Sequence, residues 1–165
     1  MKTNATRVLE NMDIDYELLN YSVDFDDLSA TSTAQKLGIP ADQVFKTLIV
    51  QSTAQGVAQG SFNGVALAVI PGSYSLDLKA LARVSGQRKV NIVPLKQVQP
   101  LTGYIRGGVT ALACKKPYPV FLDEWAGVYE RIAVSAGARG RMLLLRSDDY
   151  IKATNAMVGA ISRED

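Results

Sequence analysis

No histidine occurs among the 165 residues of this chain, and cysteine occurs once, at Cys114. The first absence excludes Ser-His-Asp and Cys-His catalysis and every histidine-ligated metal site. The second excludes an internal disulfide framework and thiolate zinc clusters, and suits a reducing cytosol. No metal and no cofactor is therefore expected, and the chain carries neither a GxGxxG dinucleotide fingerprint nor a Walker A sequence. Long apolar runs are missing too. Val65 to Ile70 is far too short to span a bilayer, and the first ten residues hold no apolar signal region. A cytoplasmic protein with no membrane contact is expected. Charge of one sign is scarce: the net charge is +2, so nucleic-acid binding would have to rest on local clusters. Any chemistry must come from lysine, carboxylates, hydroxyls, backbone amides or groups on the substrate.

What remains is an ordinary globular composition, 47% hydrophobic and 21% charged, and one domain spanning residues 1–165 is expected. A chain of this size buries roughly two-thirds of its unfolded surface and needs no staple to fold. Its patterns predict a helix over Asn4–Asn11 capped by Thr3, a strand over Ile14–Leu18, a loop from Ser22 to Ser29, and a helix over Ser32–Leu37 capped by Thr31. Strands follow at Val44–Gln51 and Val65–Ile70, joined by a hairpin-like excursion rich in Gln, Gly and Ser. A helix over Asp77–Val84, a strand over Lys89–Val93, a helical turn over Pro94–Val98 and a glycine-punctuated loop over Gly103–Gly108 come next. Three strands, Pro119–Asp123, Ile132–Ser135 and Met142–Leu145, precede a helix running from Ser147 to Ile161. Short strands interleaved with short helices indicate a mixed α/β domain, its sheet open or closed.

Three places offer chemistry. In Val44-Phe45-Lys46-Thr47-Leu48-Ile49-Val50, alternation puts Lys46 on one face with Val44, Leu48 and Val50, while Phe45, Thr47 and Ile49 occupy the other. A lysine in a strand apolar on both faces must pair, snorkel at a strand end or line a wet pocket. Gly107-Gly108 allows backbone groups to approach a ligand closely, or makes an ordinary tight turn. Ser135-Ala136-Gly137-Ala138-Arg139-Gly140 offers a hydroxyl and N–H groups to a carbonyl, or merely connects two strands. Without histidine, Ser135 suits hydrogen bonding better than nucleophilic attack. Basic residues at Lys115, Lys116, Arg139 and Arg141 are candidates for phosphate contacts or a solvated surface. Cys114 beside Lys115 could have a lowered pKa, but lacks a base or resolving partner and reads as structural.

These segments in this order resemble the YbaK/EbsC family, which includes free-standing aminoacyl-tRNA deacylases and the editing domain of bacterial prolyl-tRNA synthetases. The likeness is carried by Lys36 to Pro40 running into Gln43 to Leu48, by Leu76 to Lys79, by Thr102 to Gly108 and by Val134 to Gly140. It implies a mixed, strongly curved, partly barrel-like β-sheet surrounded by helices. It also implies a catalytic Lys46, with Tyr21, Gly107, Gly108, Ser135 and Gly137 forming the substrate pocket. By the same likeness the chain is a trans-editing hydrolase that clears the ester of a mischarged tRNA, Cys-tRNA(Pro) or another small amino acid on tRNA(Pro). Its partners would be the aminoacyl-tRNA acceptor end and prolyl-tRNA synthetase. The loop after Tyr21 differs from the family pattern, Ala136 replaces a family glycine, and Met142 stands where cysteine-clearing relatives carry an acidic residue. A noncatalytic binding or regulatory protein on the same fold is the alternative reading.

Overall fold

The computed structural model describes residues 2–52 and 64–164. Along the chain these form α1 (Asn4–Asn11), β1 (Glu17–Asn20), α2 (Ala30–Leu37), β2 (Phe45–Ser52), β3 (Val65–Pro71), β4 (Tyr74–Leu76), α3 (Leu78–Ser85), β5 (Val90–Ile92), α4 (Val98–Thr102), β6 (Val120–Asp123), β7 (Arg131–Ser135), β8 (Arg141–Arg146), α5 (Ser147–Thr154), β9 (Met157–Gly159) and β10 (Ser162–Glu164). The excursion expected between β2 and β3 lies, over residues 53–63, outside the described residues.

A mixed five-stranded sheet has the order β5-β2-β3-β6-β9, its first two pairings antiparallel and its last two parallel. A three-stranded antiparallel sheet, β1-β8-β7, lies beside it, and β10 pairs with β4. Two strongly apolar strands, β2 and β3, occupy the middle of the large sheet because both of their faces are covered. Phe45, Ile49, Leu67 and Val69 enter one core with Leu122, Val134 and Leu143. Val50, Ala66, Ala68 and Ile70 enter another with Leu81 and Phe121. A parallel bridge from Val44 to Ala133 of β7 joins the two sheets just before β2 begins. Among the described residues the ladders stay open: none of these pairings closes a ring.

The largest departures from the sequence pattern are three boundaries and one added strand. The first strand begins at Glu17 rather than Ile14, because its partners on β8 are Leu144 to Arg141, while Ile14 is buried in the core ahead of the ladder. Helix α2 is capped by Ser29, whose Oγ accepts the Ser32 N–H at 3.2 Å, and Thr31 lies inside the first turn. Both are hydroxyl residues, so composition alone could not choose between them. The last helix stops at Thr154, where Asn155 adopts a left-handed conformation with φ 55°. The residues after it form β9 and β10 instead, held by the buried Asp123. Its Oδ1 accepts the N–H groups of Ile161 and Ser162, both at 2.9 Å, and its Oδ2 accepts that of Trp125 at 3.0 Å. Finally β4, three residues long, was too short for a periodic signal and exists because β10 pairs with it.

Gly72, in the turn after β3, ties the elements together. Its N–H donates to the Val44 carbonyl at 2.6 Å, and its own carbonyl accepts Lys46 Nζ at 3.2 Å. A Cβ built there would overlap that of Ala30 at the start of α2 and stand 3.0 Å from the Val44 oxygen. Only glycine leaves the room that helix and strand occupy.

Gly72→Ala is expected to destabilise the fold by about 1–3 kcal/mol through overpacking, lowering Tm by roughly 2–12 °C in a thermal melt. An unchanged Tm would show that α2 can move aside freely. Asp123→Ala is expected to remove about 2–4 kcal/mol by orphaning the buried Ile161 N–H and two half-buried ones, a Tm fall of roughly 4–16 °C, whereas Asp123→Asn retains the Oδ1 acceptor and loses less. Equal losses for both variants would contradict the assigned hydrogen bonds.

Candidate functional site

A cavity of about 480 Å³ opens where the two sheets meet. Its walls bring together Lys46, Tyr21, Gly107 and Ser135, which lie far apart in sequence, with Met142 and the β1–α2 loop completing them. Period-two alternation already separated Lys46 from the apolar face of Phe45 and Ile49. Its ammonium is half-buried and steadied by the Gly72 carbonyl. That anchor, rather than snorkelling into bulk water, is where the lysine goes.

The serine turn presents a hydrogen-bonding group rather than a nucleophile. Ser135 is 9% exposed, and its Oγ accepts the Gly137 N–H at 3.2 Å, closing a side-chain turn. Opposite it across the β7–β8 ladder is Met142, 5% exposed, which lines the cavity with a thioether. Tyr21 sits against the far end of the same turn, its N–H donating to the Gly140 carbonyl at 2.9 Å. Lys36 Nζ lies 6.0 Å from the centre of the Tyr21 ring and donates to the Ser22 carbonyl at 2.7 Å.

The paired glycines divide their work. Gly107, at φ 88°, lines the cavity; Gly108 does not, and packs against the serine turn instead. A Cβ on Gly108 would meet the Ala138 and Arg139 backbone at 3.2 Å, and one on Gly137 would meet the Tyr104 ring at 2.9 Å. Gly108 and Gly137 thus let the loop and the turn dock on each other, which sets the distance between Gly107 and Ser135. Tyr104 is held from its other end, its hydroxyl donating to the Leu112 and Ala113 carbonyls at 2.6 and 3.0 Å, and burial pushes its pKa up to about 12.

The basic candidates separate. Arg139 lies in a groove beside the cavity, its Nε donating to the Arg106 carbonyl at 2.7 Å, and Arg141 is half-buried at the start of β8. Lys115 and Lys116 are exposed, near the Gly103 end of the loop and not on the cavity wall. The suggestion that Lys115 lowers the Cys114 pKa is overturned: burial pushes the thiol up to about 11, and Sγ contacts the Thr110 carbonyl at 3.2 Å. The cysteine is structural.

Sequence reasoning passed over Asp26, Asp27, Thr47 and Arg106, all on the cavity wall. Hydrogen bonds from the Ser29 hydroxyl and backbone N–H, the latter at 3.1 Å, hold the Asp27 carboxyl below its usual range. The signal was the acidic run Asp24-Phe25-Asp26-Asp27 leading directly into α2, which composition alone reads as a solvated loop.

The sequence model described as the aminoacyl-tRNA editing domain matches residues 28–153 of this chain. A curated protein of Enterococcus faecalis (strain ATCC 700802 / V583), the proposed Cys-tRNA(Pro)/Cys-tRNA(Cys) deacylase EbsC, is 40% identical over 164 residues, covering 99% of this chain and 95% of that protein. Among solved structures, the hypothetical protein APE2540 superposes with a TM-score of 0.84 at 23% identity, over 98% of this chain and all of that one. A proposed trans-editing enzyme for prolyl-tRNA synthetase gives a TM-score of 0.75 at 21% identity, over 99% of both chains, and shares the fold. With the family model spanning most of the chain and EbsC aligned over nearly its whole length, the chain belongs to the YbaK/EbsC family of aminoacyl-tRNA editing domains.

Proposed function

We propose that this chain is a single-domain, trans-editing aminoacyl-tRNA deacylase that hydrolyses the ester of a mischarged tRNA, Cys-tRNA(Pro) or another small amino acid on tRNA(Pro). The observation that carries it is the Lys46 ammonium, held by Gly72 on the wall of a cavity that also presents Gly107 and Ser135. An aminoacyl ester is already activated, so positioning and charge suffice. Water adds to the ester carbonyl, the bond to the ribose oxygen breaks, and the amino acid leaves as its carboxylate while the ribose regains its hydroxyl. Lys46 offsets the oxyanion that develops, and backbone groups at Gly107 and the Ser135 hydroxyl orient the ester. With cysteine, the substrate thiol can itself attack the carbonyl, breaking the bond to the ribose oxygen, which takes up the proton, and leaving a cyclic thioester that water opens, so no enzyme nucleophile is needed. The reaction thus fits a chain without histidine.

Met142 makes part of the wall apolar where cysteine-clearing relatives are expected to carry an acid, while Asp26 and Asp27 of the β1–α2 loop bring carboxylates to the same cavity. This arrangement favours a small amino acid whose ammonium faces the β1–α2 loop. The Val44–Ala133 bridge supports a further reading in which the two sheets act as one curved, partly barrel-like wall around the cavity. In this reading tRNA identity comes from the acceptor stem or from prolyl-tRNA synthetase acting as partner. A cytoplasmic location follows from that substrate, and no described helix is long and apolar enough to cross a membrane.

Incubating the purified protein with Cys-, Ala-, Ser- and Pro-tRNA(Pro) tests the proposal. The wild type is expected to deacylate at least one of them. Lys46→Ala is expected to lose about 10²–10³ in kcat, as for removal of an oxyanion donor, with an unchanged circular dichroism spectrum. Ser135→Ala is expected to lose less. Hydrolysis of none of the four by the wild type would reject the enzyme and leave a binding protein on this fold.

A further inference from the structure

Beside the catalytic cavity runs a second groove of about 580 Å³, sharing with it Leu28, Leu95, Val98 and Arg106. Its apolar residues are unusually open: Phe25 is 72% exposed, Leu95 60% and Ile105 43%. Exposed apolar side chains gathered in one groove and rimmed by polar groups mark a contact surface. The Phe25 ring is also positioned. The Arg139 guanidinium lies 5.5 Å from its centre, fixed there by the Nε bond to the Arg106 carbonyl. Arg139 also packs over Gly107, where a Cβ would meet its side chain at 3.3 Å, so the groove and the cavity meet at that glycine.

Charge distinguishes the two spaces. The groove is lined by Lys96, Arg106 and Arg139 and by no carboxylate, whereas the cavity carries both signs, Asp26 and Asp27 beside Lys46 and Arg106. A ligand that fits both carries negative charge along its outer part, a planar group at the junction, and at the end entering the cavity a cation for the two carboxylates beside a polar group for Lys46. An aminoacylated single-stranded RNA end has them all: phosphodiesters, stacked bases, and an ammonium beside an ester. We infer that the Phe25 groove is the subsite for the single-stranded 3′ acceptor strand, with Phe25 stacking on a base adjoining the terminal nucleotide and Lys96, Arg106 and Arg139 facing its phosphates. Stacking on an exposed ring is tolerant of sequence, and cations spaced along a groove track a backbone. The inference rests on the deacylase reading for its ligand but not on turnover for its test. It also assigns the β1–α2 loop a role at both ends of the substrate, since Phe25 and its two acidic neighbours are consecutive residues.

The test uses a synthetic acceptor-stem RNA hairpin, uncharged, with a single-stranded NCCA 3′ tail, and the same hairpin with a blunt end. Binding to the intact protein is followed by fluorescence anisotropy across a salt series. Phe25→Ala is expected to weaken binding of the tailed hairpin by roughly 5- to 100-fold, the loss of one base–aromatic stack. Phe25→Trp retains it, and the blunt hairpin, already bound more weakly, is indifferent to either change. Lys96→Gln and Arg106→Gln should each reduce the slope of log affinity against log salt by about 0.7. Because Phe25 is largely exposed, these variants should melt like the wild type. Equal affinity of wild type and Phe25→Ala for the tailed hairpin overturns the inference, as does an equal loss on both hairpins. A groove made for a protein partner would give that first result. The two proposals fail separately. A wild type that binds the tail through Phe25 but hydrolyses no charged tRNA loses only the deacylase reading, and one that hydrolyses charged tRNA while Phe25→Ala binds the tail unchanged loses only the groove.

Discussion

The pair of hydrogen bonds made by Gly72 is the constraint on which the site depends. One fixes the turn after β3 to Val44, where the two sheets meet, and the other holds the Lys46 ammonium. Ala30 occupies the space a side chain would take, so the first turn of α2 is drawn against the same point. The loop leading into that helix consequently lines the same cavity as Lys46. The two backbone groups of a single glycine thus connect helix, sheet junction and the one cation that β2 contributes.

A second constraint acts at the far wall. The glycine loop and the serine turn dock backbone to backbone because neither Gly108 nor Gly137 carries a side chain. Close-packed backbone moves little, so Gly107 and Ser135 are held at a set separation without either being spent on packing. This explains how a chain lacking histidine can still present an ordered site. Its polar groups are lysine, arginine and aspartate side chains, hydroxyls of which that of Ser135 is already engaged in a turn, and main-chain atoms. Such groups orient and neutralise charge; they do not generate a strong nucleophile. They suit a substrate whose bond is already activated.

Much of this was legible beforehand, and unevenly so. The core strands β2, β3, β7 and β8 announce themselves as apolar runs bounded by turn residues, and their observed limits differ from the pattern by a residue at either end. Helix α1 follows from Thr3, whose reciprocal bonds with Thr6 complete a capping box. The motifs carrying the family likeness also pointed to Lys46, Tyr21, Gly107 and Ser135, which share one cavity. The end of the chain was misread as helix because Ala156 to Ile161 is compatible with either state, and its decision lies in a carboxylate some 38 residues earlier. The acidic run before α2 was set aside as solvated loop, for nothing local says that it faces a pocket.

The sequence by itself determined which chemistries were impossible, where the buried strands lie, and which lysine stands on a strand with two apolar faces. Each follows from residue type or from periodicity, which are properties of neighbours along the chain. Only the tertiary structure decided that Gly72 receives that lysine, that Gly108 serves packing while Gly107 lines the cavity, and that Asp26 and Asp27 share that cavity with Met142. Those outcomes depend on distances between segments tens of residues apart. Such distances arise when the two sheets pack, and local preference does not encode them.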